Sequence, residues 1–458
     1  MSFRVVVPSA SAAVARAVRP ISTGAVIAAM GIMGRPPMSI PDVADTAPAA
    51  RRCLSPTRIR ACPRDCCRMT TTADRTAPNR LARGTILASA ALTIMAPAII
   101  APSLPTMEQV FGDQPAASLL VRLAMTITSL MIAVSAPVSG MIADRVGRRP
   151  LLVACLVLYA ASGTAGYFVT DLFLLLATRA LLGIAVGGVM TAVSATITDW
   201  FDGPRRASFL GLQQAFASLG GVVFLPLAGV LATIGWRVPF WLYGLAAAVA
   251  LFAFLAVRDR PRDTPAVAAD RGRAVTGHVL GIYALALGAT MVFYMAPTQV
   301  PFLLERLGIG PALVGAVVAG STLTSTLGAV GFPALRRRLN SAAITTVSLA
   351  LLGAGWLLVG GTGTAFGTAA GLLVGGAGVG VVVPNLTLRL SELAPPVWRG
   401  RVLSGLVAGI FLGQFLSPLA VQPLILAIGV GDAFTWAGTA IVAGAALAVL
   451  KARKRNTK

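Results

Sequence analysis

Twelve apolar runs, each long enough to cross a bilayer as a helix, follow one another from residue 83 to residue 450. A helix needs ~20 apolar residues to span the hydrocarbon, and lipid offers no partner for an unpaired peptide group. The predicted spans are residues 85–105, 117–141, 150–169, 172–196, 209–233, 238–257, 277–297, 311–333, 342–361, 364–388, 402–427 and 433–450. The sequence therefore predicts an all-α membrane protein with twelve transmembrane helices.

The composition agrees with lipid as the solvent. Hydrophobic residues make up 56% of the chain and charged residues 12%, whereas soluble domains carry about 25% charged residues. The net charge of +22 comes from Arg and Lys in the segments between apolar runs. A nucleic-acid-binding protein would group such residues on one soluble face, so we exclude that class.

The basic residues fall in alternate loops. If the N-terminus is cytoplasmic, six inside segments carry Arg or Lys, and the outside loops hold only Arg237 and Arg306. The acidic residues of those outside loops are Glu108, Asp113, Asp171, Glu305 and Asp432. Cytoplasmic loops of membrane proteins are enriched in Lys and Arg. The pattern predicts that both termini are cytoplasmic. The preference for Arg over Lys is typical of a GC-rich genome and favours a bacterial protein, for which we expect the inner membrane.

Residues 1–80 differ in kind from the rest, because they are rich in Arg, Pro, Ala and Ser and contain no run long enough to span. Met69 begins a stretch that is typical of a natural start. We expect residues 1–68 to come from a misassigned start codon or to form a disordered extension, with an organelle transit peptide as the alternative. The spacing of Cys62, Cys66 and Cys67 matches no zinc-ligand pattern, so we predict no metal site.

Two pairs of matching segments indicate an internal duplication. Gly140 opens a basic loop after the second predicted helix, and Gly331 opens a similar loop 191 positions later. Pro226 and Pro418 each begin a Pro-Leu-Ala segment, 192 positions apart. We predict two pseudo-symmetric six-helix halves around a central cavity. They are residues 83–257 and 277–450, joined by a cytoplasmic linker at 258–276 and followed by a basic cytoplasmic tail at 451–458.

The loop between the second and third predicted helices carries a distinctive series of residues. It reads Gly140-Met-Ile-Ala-Asp144-Arg145-Val-Gly147-Arg148-Arg149. Gly140 would let two helices approach closely, Asp144 can accept charge-assisted hydrogen bonds, and Gly147 allows a tight turn. Arg148 and Arg149 can bind anionic lipid head groups or pair across the two halves. Such a cluster would close one end of the bundle and release it when the halves rock.

This loop resembles the signature loop of the major facilitator superfamily of transporters. Arg179, Gly183, Gly187 and Gly188 are similar to the family's second motif. Gly221, Pro226 and Gly229 are similar to its motif for export by antiport, although Leu225 stands where a Gly would precede the proline. The resemblance covers residues 83–450 and is closest to the drug/proton antiporter-like branch. It implies a secondary transporter that works by alternating access.

Polar residues inside a membrane are functional candidates by default. The resemblance implies that Arg179 faces the central cavity and couples ion to substrate; the alternative is a structural Arg bonded to backbone carbonyls. Arg122 either lines the cavity or reaches the interface. The other cavity candidates, for which a packing role is the alternative, are Gln213, Gln214, Tyr294, Gln299, Asn385 and Gln414. The predicted helix-packing residues are Gly183, Gly187, Gly221, Pro226, Gly229, Gly380, Pro384 and Pro418.

The charges within the predicted spans bear on the solute. No Asp or Glu lies in the middle of any span, so a lipophilic cation finds no buried carboxylate. This favours a neutral or anionic solute, and Asp144 could take part in proton coupling. The resemblance favours a drug/proton efflux permease; uptake or exchange of a small neutral or anionic metabolite stays open.

Other classes of membrane protein fit less well. The single histidine, His278, and the lack of intramembrane acids argue against an enzyme, and no phosphate-binding loop is present for an ATP-driven pump. A channel would not explain the duplication. We therefore predict a transporter without a cofactor, whose partners are a small-molecule substrate, protons and membrane lipids, with no nucleic acid. We expect a monomer.

Overall fold

The computed structural model describes residues 78–113, 116–201, 203–259, 277–394 and 399–456. Within these ranges, twelve helices are long and apolar enough to cross a membrane, and no residue is in a β-strand. The helices are α1 (Arg80–Val110), α2 (Ala117–Val146), α3 (Arg148–Phe168), α4 (Leu172–Trp200), α5 (Gly203–Ile234), α6 (Val238–Ala256), α7 (Gly277–Arg306), α8 (Pro311–Arg336), α9 (Ser341–Thr362), α10 (Ala365–Leu393), α11 (Arg399–Ile428) and α12 (Val430–Asn456). The prediction of an all-α, twelve-span protein is confirmed.

Polar residues set the starts of several helices. The side chain of Asp171 accepts a hydrogen bond from the backbone N–H of Leu174 at 2.8 Å, and α4 begins there. At the start of α9, the side chain of Asn340 accepts a hydrogen bond from the backbone N–H of Ala343 at 2.8 Å. A helix leaves its first N–H groups without partners, and these side chains supply an acceptor. The short links therefore reverse the chain without leaving these N–H groups unpaired.

The packing of the helices repeats after six. In the first half α1 packs on α5, α2 on α4, and α3 on both α4 and α6; in the second half α7 packs on α11, α8 on α10, and α9 on both α10 and α12. Both α1 and α7 are interrupted, at the 3-10 turn Ala101–Ser103 and at Tyr294. The halves meet along α2 with α11 and along α5 with α8. The two six-helix halves predicted from the duplication are confirmed.

The two ends of the bundle differ in charge. The basic end carries the link between α2 and α3 and the end of α8, with Arg145, Arg148, Arg149, Arg336 and Arg337. The acidic end carries the links after α1, α3 and α7, with Glu108, Asp113, Asp171 and Glu305. These names are used for the two ends below.

Some predicted boundaries were wrong. α1 continues to Val110, beyond the predicted end at 105, and α7 continues to Arg306, beyond the predicted end at 297. Pro102 and Pro105 lie in the first turns of new helical segments, where the missing N–H of proline would have no helical partner anyway. α12 runs on to Asn456, so the predicted tail extends a helix. Residues 1–77 of the predicted extension and 260–276 of the linker lie outside the described residues.

Most of the predicted packing glycines lie where two helices approach closely. A Cβ on Gly229 would lie 2.5 Å from the carbonyl oxygen of Pro311. Gly183 and Gly187 face α2, Gly221 lies between α1 and α8, and Gly380 faces α8, while Pro226, Pro384 and Pro418 are inside α5, α10 and α11. Gly140 differs, because its nearest neighbour is the Thr191 Cγ2 atom at 4.0 Å. The expectation of a close helix approach at Gly140 was wrong.

Replacing Gly380 by Ala is expected to destabilise the protein by about 1–3 kcal/mol, because a Cβ there would collide with the carbonyl oxygen of Ser325 and force α8 and α10 apart. The measurement is the midpoint of thermal unfolding in detergent. Gly331→Ala on α8 is the matched control, since nothing lies within 4 Å of its Cβ position. An unchanged midpoint in Gly380→Ala would contradict this packing.

Candidate functional site

Arg122 on α2 joins the two halves at the acidic end. Its Nε atom donates to Oε1 of Gln299 on α7 at 3.0 Å, and its guanidinium lies 3.8 Å from the centre of the Phe302 ring. Within its own half, Arg122 pairs with Glu108 at 3.2 Å and donates to the carbonyl of Ser118. The guanidinium therefore links α1 and α2, in the first half of the protein, to the C-terminal part of α7, in the second half.

Further side-chain hydrogen bonds cross between the halves near Arg122. Gln109 Nε2 donates to Glu305 Oε1 at 2.8 Å, and Gln422 Nε2 lies 3.4 Å from Ser118 Oγ. Nearer the middle of the bundle, Ser129 Oγ donates to Gln414 Oε1 at 2.8 Å, and Tyr294 lies beside Ser129. We call this set the acidic-end junction; it comprises Glu108, Gln109, Ser118, Arg122, Ser129, Tyr294, Gln299, Phe302, Glu305, Gln414 and Gln422.

The centre of the junction is buried. Arg122 is 4% exposed and Gln299 is fully buried. A buried charge is tolerated when a counter-charge and hydrogen bonds replace water, which Glu108, Gln299 and the ring of Phe302 do for Arg122. The Gln299 Nε2 and Gln422 Oε1 atoms are buried without a hydrogen-bond partner among the described residues. Together these contacts seal the bundle at its acidic end.

The sequence motif lies at the opposite end and joins helices of one half. Arg148 pairs with Asp144 at 2.9 Å and with Asp199 of α4 at 3.2 Å. Oδ1 of Asp259 accepts the backbone N–H groups of Arg148 and Arg149, each at 2.9 Å, and caps α3. The link turns at Gly147, whose φ of +107° favours glycine. The four hydrogen bonds that join the halves through described residues all lie in the acidic-end junction.

Arg145 and Arg149 differ from Arg148. Arg145 is exposed. The Arg149 guanidinium lies 4.7 Å from the centre of the Phe254 ring and donates to the carbonyl of Phe254 on α6. No carboxylate of the described residues forms an ion pair with it. The two consecutive arginines of the motif thus have different surroundings.

Arg179 is buried inside the first half and not between the halves. Its NH2 group donates to the carbonyls of Ser162 at 3.1 Å and Gly163 at 2.8 Å. The guanidinium lies 4.8 Å from the ring of Phe240 and 4.9 Å from that of Tyr243. The expectation that Arg179 faces the central cavity was wrong, because backbone carbonyls and aromatic faces between α3 and α6 hold its charge.

The other predicted cavity residues divide into two groups. Tyr294, Gln299 and Gln414 belong to the acidic-end junction, as does Arg122. Asn385 donates to the Ser341 carbonyl at 2.9 Å and to Thr345 Oγ1 at 2.8 Å, joining α10 to α9. Gln213 Nε2 lies 3.3 Å from Ser194 Oγ of α4, and Gln214 is exposed.

Seven junction residues were not among the sequence-predicted site residues. They are Glu108, Gln109, Ser118, Ser129, Phe302, Glu305 and Gln422. Glu108 and Glu305 were assigned to loops, because the predicted spans ended before them. Their positions after proline-containing segments at matching places in the two halves were the signal that could have identified them.

The comparisons with known proteins decide the family. A family model described as Major Facilitator Superfamily matches residues 86–418. The chain belongs to the Major Facilitator Superfamily. It is thus a multi-pass membrane transporter and not an enzyme.

Relatives within this superfamily include proteins with different functions. The chain is 29% identical over 397 residues to tetracycline resistance protein, class C, from Escherichia coli, covering 79% of this chain and 93% of that protein. It is 28% identical over 150 residues to the niacin transporter NiaP of Acinetobacter baylyi (strain ATCC 33305 / BD413 / ADP1), covering 32% of this chain. That match spans about a third of the relative's length, 33%. The direction of transport and the solute therefore do not follow from these similarities.

A solved transporter structure shares the fold. A bacterial homologue of the human lysosomal transporter Spinster, in an inward-facing and occupied conformation, aligns with a TM-score of 0.63 at 17% identity, over 80% of this chain and 94% of that one. At this identity, the likeness concerns the fold alone.

Replacing Arg122 by Ala is expected to open the acidic end, because the halves lose the hydrogen bond to Gln299 and the contact with Phe302. The measurement is the rate at which a maleimide labels Ser103→Cys, because Ser103 is only 1% exposed in the closed structure. The protein used for this test starts at Met69 and carries Cys155→Ser. Ser103 lies in the turn that contacts α7 and α8. The rate should rise about tenfold for each 1.4 kcal/mol lost by the closed state.

Arg237→Ala is the matched control for this labelling experiment. Arg237 is also at the acidic end, but its partners are the carbonyl of Val169 and the ring of Trp236, both in its own half. The labelling rate should stay at its original value in this variant. An unchanged rate in Arg122→Ala would show that the junction does not hold the end closed.

Replacing Arg179 by Ala is expected to lower the stability of the fold by about 2–5 kcal/mol, since two buried carbonyls and two aromatic faces lose a cation. The measurement is the thermal midpoint of the purified protein, read beside transport. Arg145→Ala, which removes an exposed arginine, should leave the midpoint unchanged. An Arg179→Ala protein of normal stability that no longer transports would instead support the coupling role.

Proposed function

We propose that this protein exports a small organic solute across the bacterial inner membrane, by alternating access and in exchange for protons. The observation that carries the proposal is the match to tetracycline resistance protein, class C, over 93% of that relative's length. The segment with Gly221, Pro226 and Gly229 on α5 supports it, because Gly229 lies directly against α8 of the other half. When the two halves move relative to each other, α5 and α8 must move against each other at this contact.

The charge difference between the ends supports an orientation. The basic end is cytoplasmic by the preference of Lys and Arg for that side. Both termini are then cytoplasmic, and the acidic-end junction faces the outside. A structure closed by Arg122, Gln299 and Glu305 at the outside is the state in which an exporter takes up solute from the cytoplasm.

Glu108 is the proton-coupling group in this proposal. It is the carboxylate that pairs with Arg122, and its side chain keeps 30% exposure. The charged groups that face it are Arg122 from α2 and, from α7, Glu305 with Arg306. In this proposal a proton on Glu108 removes the counter-charge of the buried Arg122, so gain and loss of this proton change the stability of the closed junction. Proton binding from outside would thereby be linked to the movement of the halves.

A second function is supported by a different observation. The buried charged side chains of the described residues are Arg122 and Arg179, with no carboxylate among them. A cationic solute therefore has no buried counter-charge, whereas a neutral or anionic one needs none. Uptake or exchange of a small neutral or anionic metabolite is the alternative, and similarity to a niacin transporter over part of the chain agrees with it.

The deciding experiment expresses the chain from Met69 in a bacterium that lacks its main exporters. Accumulation of fluorescent cationic, neutral and anionic compounds is measured with and without a protonophore. Export predicts lower accumulation that the protonophore reverses. Unchanged accumulation of every compound, with protein present in the membrane, would contradict export, and increased accumulation of neutral or anionic compounds would support uptake.

Glu108→Gln tests the coupling group in the same cells. Protonophore-sensitive export should fall at least tenfold, because the amide cannot bind and release a proton. Asp113→Asn, which changes an exposed acid at the same end, is the matched control and should transport normally. Normal export by Glu108→Gln would exclude this carboxylate as the coupling group.

A further inference from the structure

An apolar groove runs along the outer surface of the first half, between α3 and α6. It encloses about 500 Å³. Its walls are aliphatic side chains, small residues and the ring of Phe254, with Thr164 as the one polar side chain in the lining. Among the lining residues are Val153, Val157, Ala161, Gly244, Ala247 and Leu251. The groove faces the surroundings of the bundle, away from the acidic-end junction.

The shape of the groove fits one hydrocarbon chain. Its α6 wall extends from Gly244 to Phe254, a rise of about 15 Å along the helix. Small residues at Ala161, Gly244 and Ala247 form its floor and rim, whereas Val157 and Leu251 are more than half exposed beside it. In a bilayer such a surface is covered by lipid, and a groove of this length orders an acyl chain along the helices.

A cation lies at the basic end of this groove. Arg149 stacks on Phe254, which is part of the lining, at 4.7 Å from the ring centre. Its side chain is half-buried, its Nε atom is buried without a partner among the described residues, and no described carboxylate pairs with it. Arg148, its neighbour, is paired with Asp144 and Asp199. Of the motif arginines, Arg149 is therefore the one that contacts the groove lining and has no ion pair with a described carboxylate.

We propose that this groove is a binding site for one anionic phospholipid, with an acyl chain between α3 and α6 and its phosphate at Arg149. Head groups of a leaflet lie at the depth of the helix ends, and a Lys or Arg there attracts anionic lipids. The lipid occupies the leaflet at the basic end. Because Arg149 follows the capped turn at Gly147, the bound lipid also holds the start of α3 against the end of α6.

Lipid-dependent thermal stability of the purified protein in detergent tests the site. Phosphatidylglycerol and phosphatidylcholine with the same acyl chains are added separately, together with chain-free glycerophosphoglycerol as a third arm. We expect phosphatidylglycerol to raise the midpoint by several degrees, phosphatidylcholine to raise it less, and glycerophosphoglycerol to have no effect. Stabilisation by glycerophosphoglycerol alone would mean an anion site without a chain site, and would overturn the proposal.

Variants separate the two parts of the site. Arg149→Gln should abolish the difference between the two lipids, and Arg149→Lys should retain part of it, whatever either substitution does to the midpoint without lipid. Arg338→Gln, at an exposed arginine of the same end in the other half, should keep the full difference. An unchanged lipid preference in Arg149→Gln would overturn the assignment of the phosphate.

Filling the groove tests the acyl chain. Ala247→Leu, alone or with Ala161→Leu, places side chains where the chain lies, and both positions are exposed enough to accept them. Stabilisation by both lipids should then be lost. Ala248→Leu, an exposed neighbour on α6 outside the groove, should respond as the original protein does. Equal stabilisation of Ala247→Leu, or a native mass spectrum showing a dimer that this variant abolishes, would overturn the proposal.

Discussion

Lipid offers no hydrogen bonds, and this constraint determines where the chain can bend. Every interruption of a helix must satisfy its own polar groups or be covered by protein. In α1 the interruption at Ala101–Ser103 has two prolines in its neighbourhood, which remove N–H groups that would otherwise be unpaired. The turn is also buried against α7 and α8. The bend and the contact between the halves therefore coincide.

The same constraint explains the different surroundings of the arginines. A guanidinium in a low-dielectric interior needs acceptors or aromatic faces on several sides, and its planar group offers five donors for this. Arg179 meets the need with two carbonyls and two rings inside one half. Arg122 does so with a carboxylate from its own half and an amide and a ring from the other. The difference makes Arg179 part of a rigid half and Arg122 part of a contact that can separate.

The sequence was sufficient for the fold but only partly for the site. Apolar runs, loop charges and the duplication predict twelve spans and two halves because these depend on local composition and on one repeat distance. The junction depends on pairs such as Arg122 with Gln299 and Ser118 with Gln422, which lie 177 and 304 residues apart. No local pattern relates such residues. Arg122 and Gln299 are candidates as polar residues in apolar surroundings, whereas Glu108 lies beyond residue 105, where the predicted span ends but the helix continues.

The strength of the junction suits a gate that must open. A hydrogen bond contributes about 1 kcal/mol net, and somewhat more when one partner is charged. Four such bonds across the halves, with one stacked ring, amount to a few kcal/mol, which is the range separating exchangeable conformations. The contact between α5 and α8 is different, since Gly229 and Gly315 bring backbones together and no side-chain hydrogen bond joins the described residues of the two helices. The halves can thus pivot along a smooth backbone contact while a small polar cluster sets which end is closed.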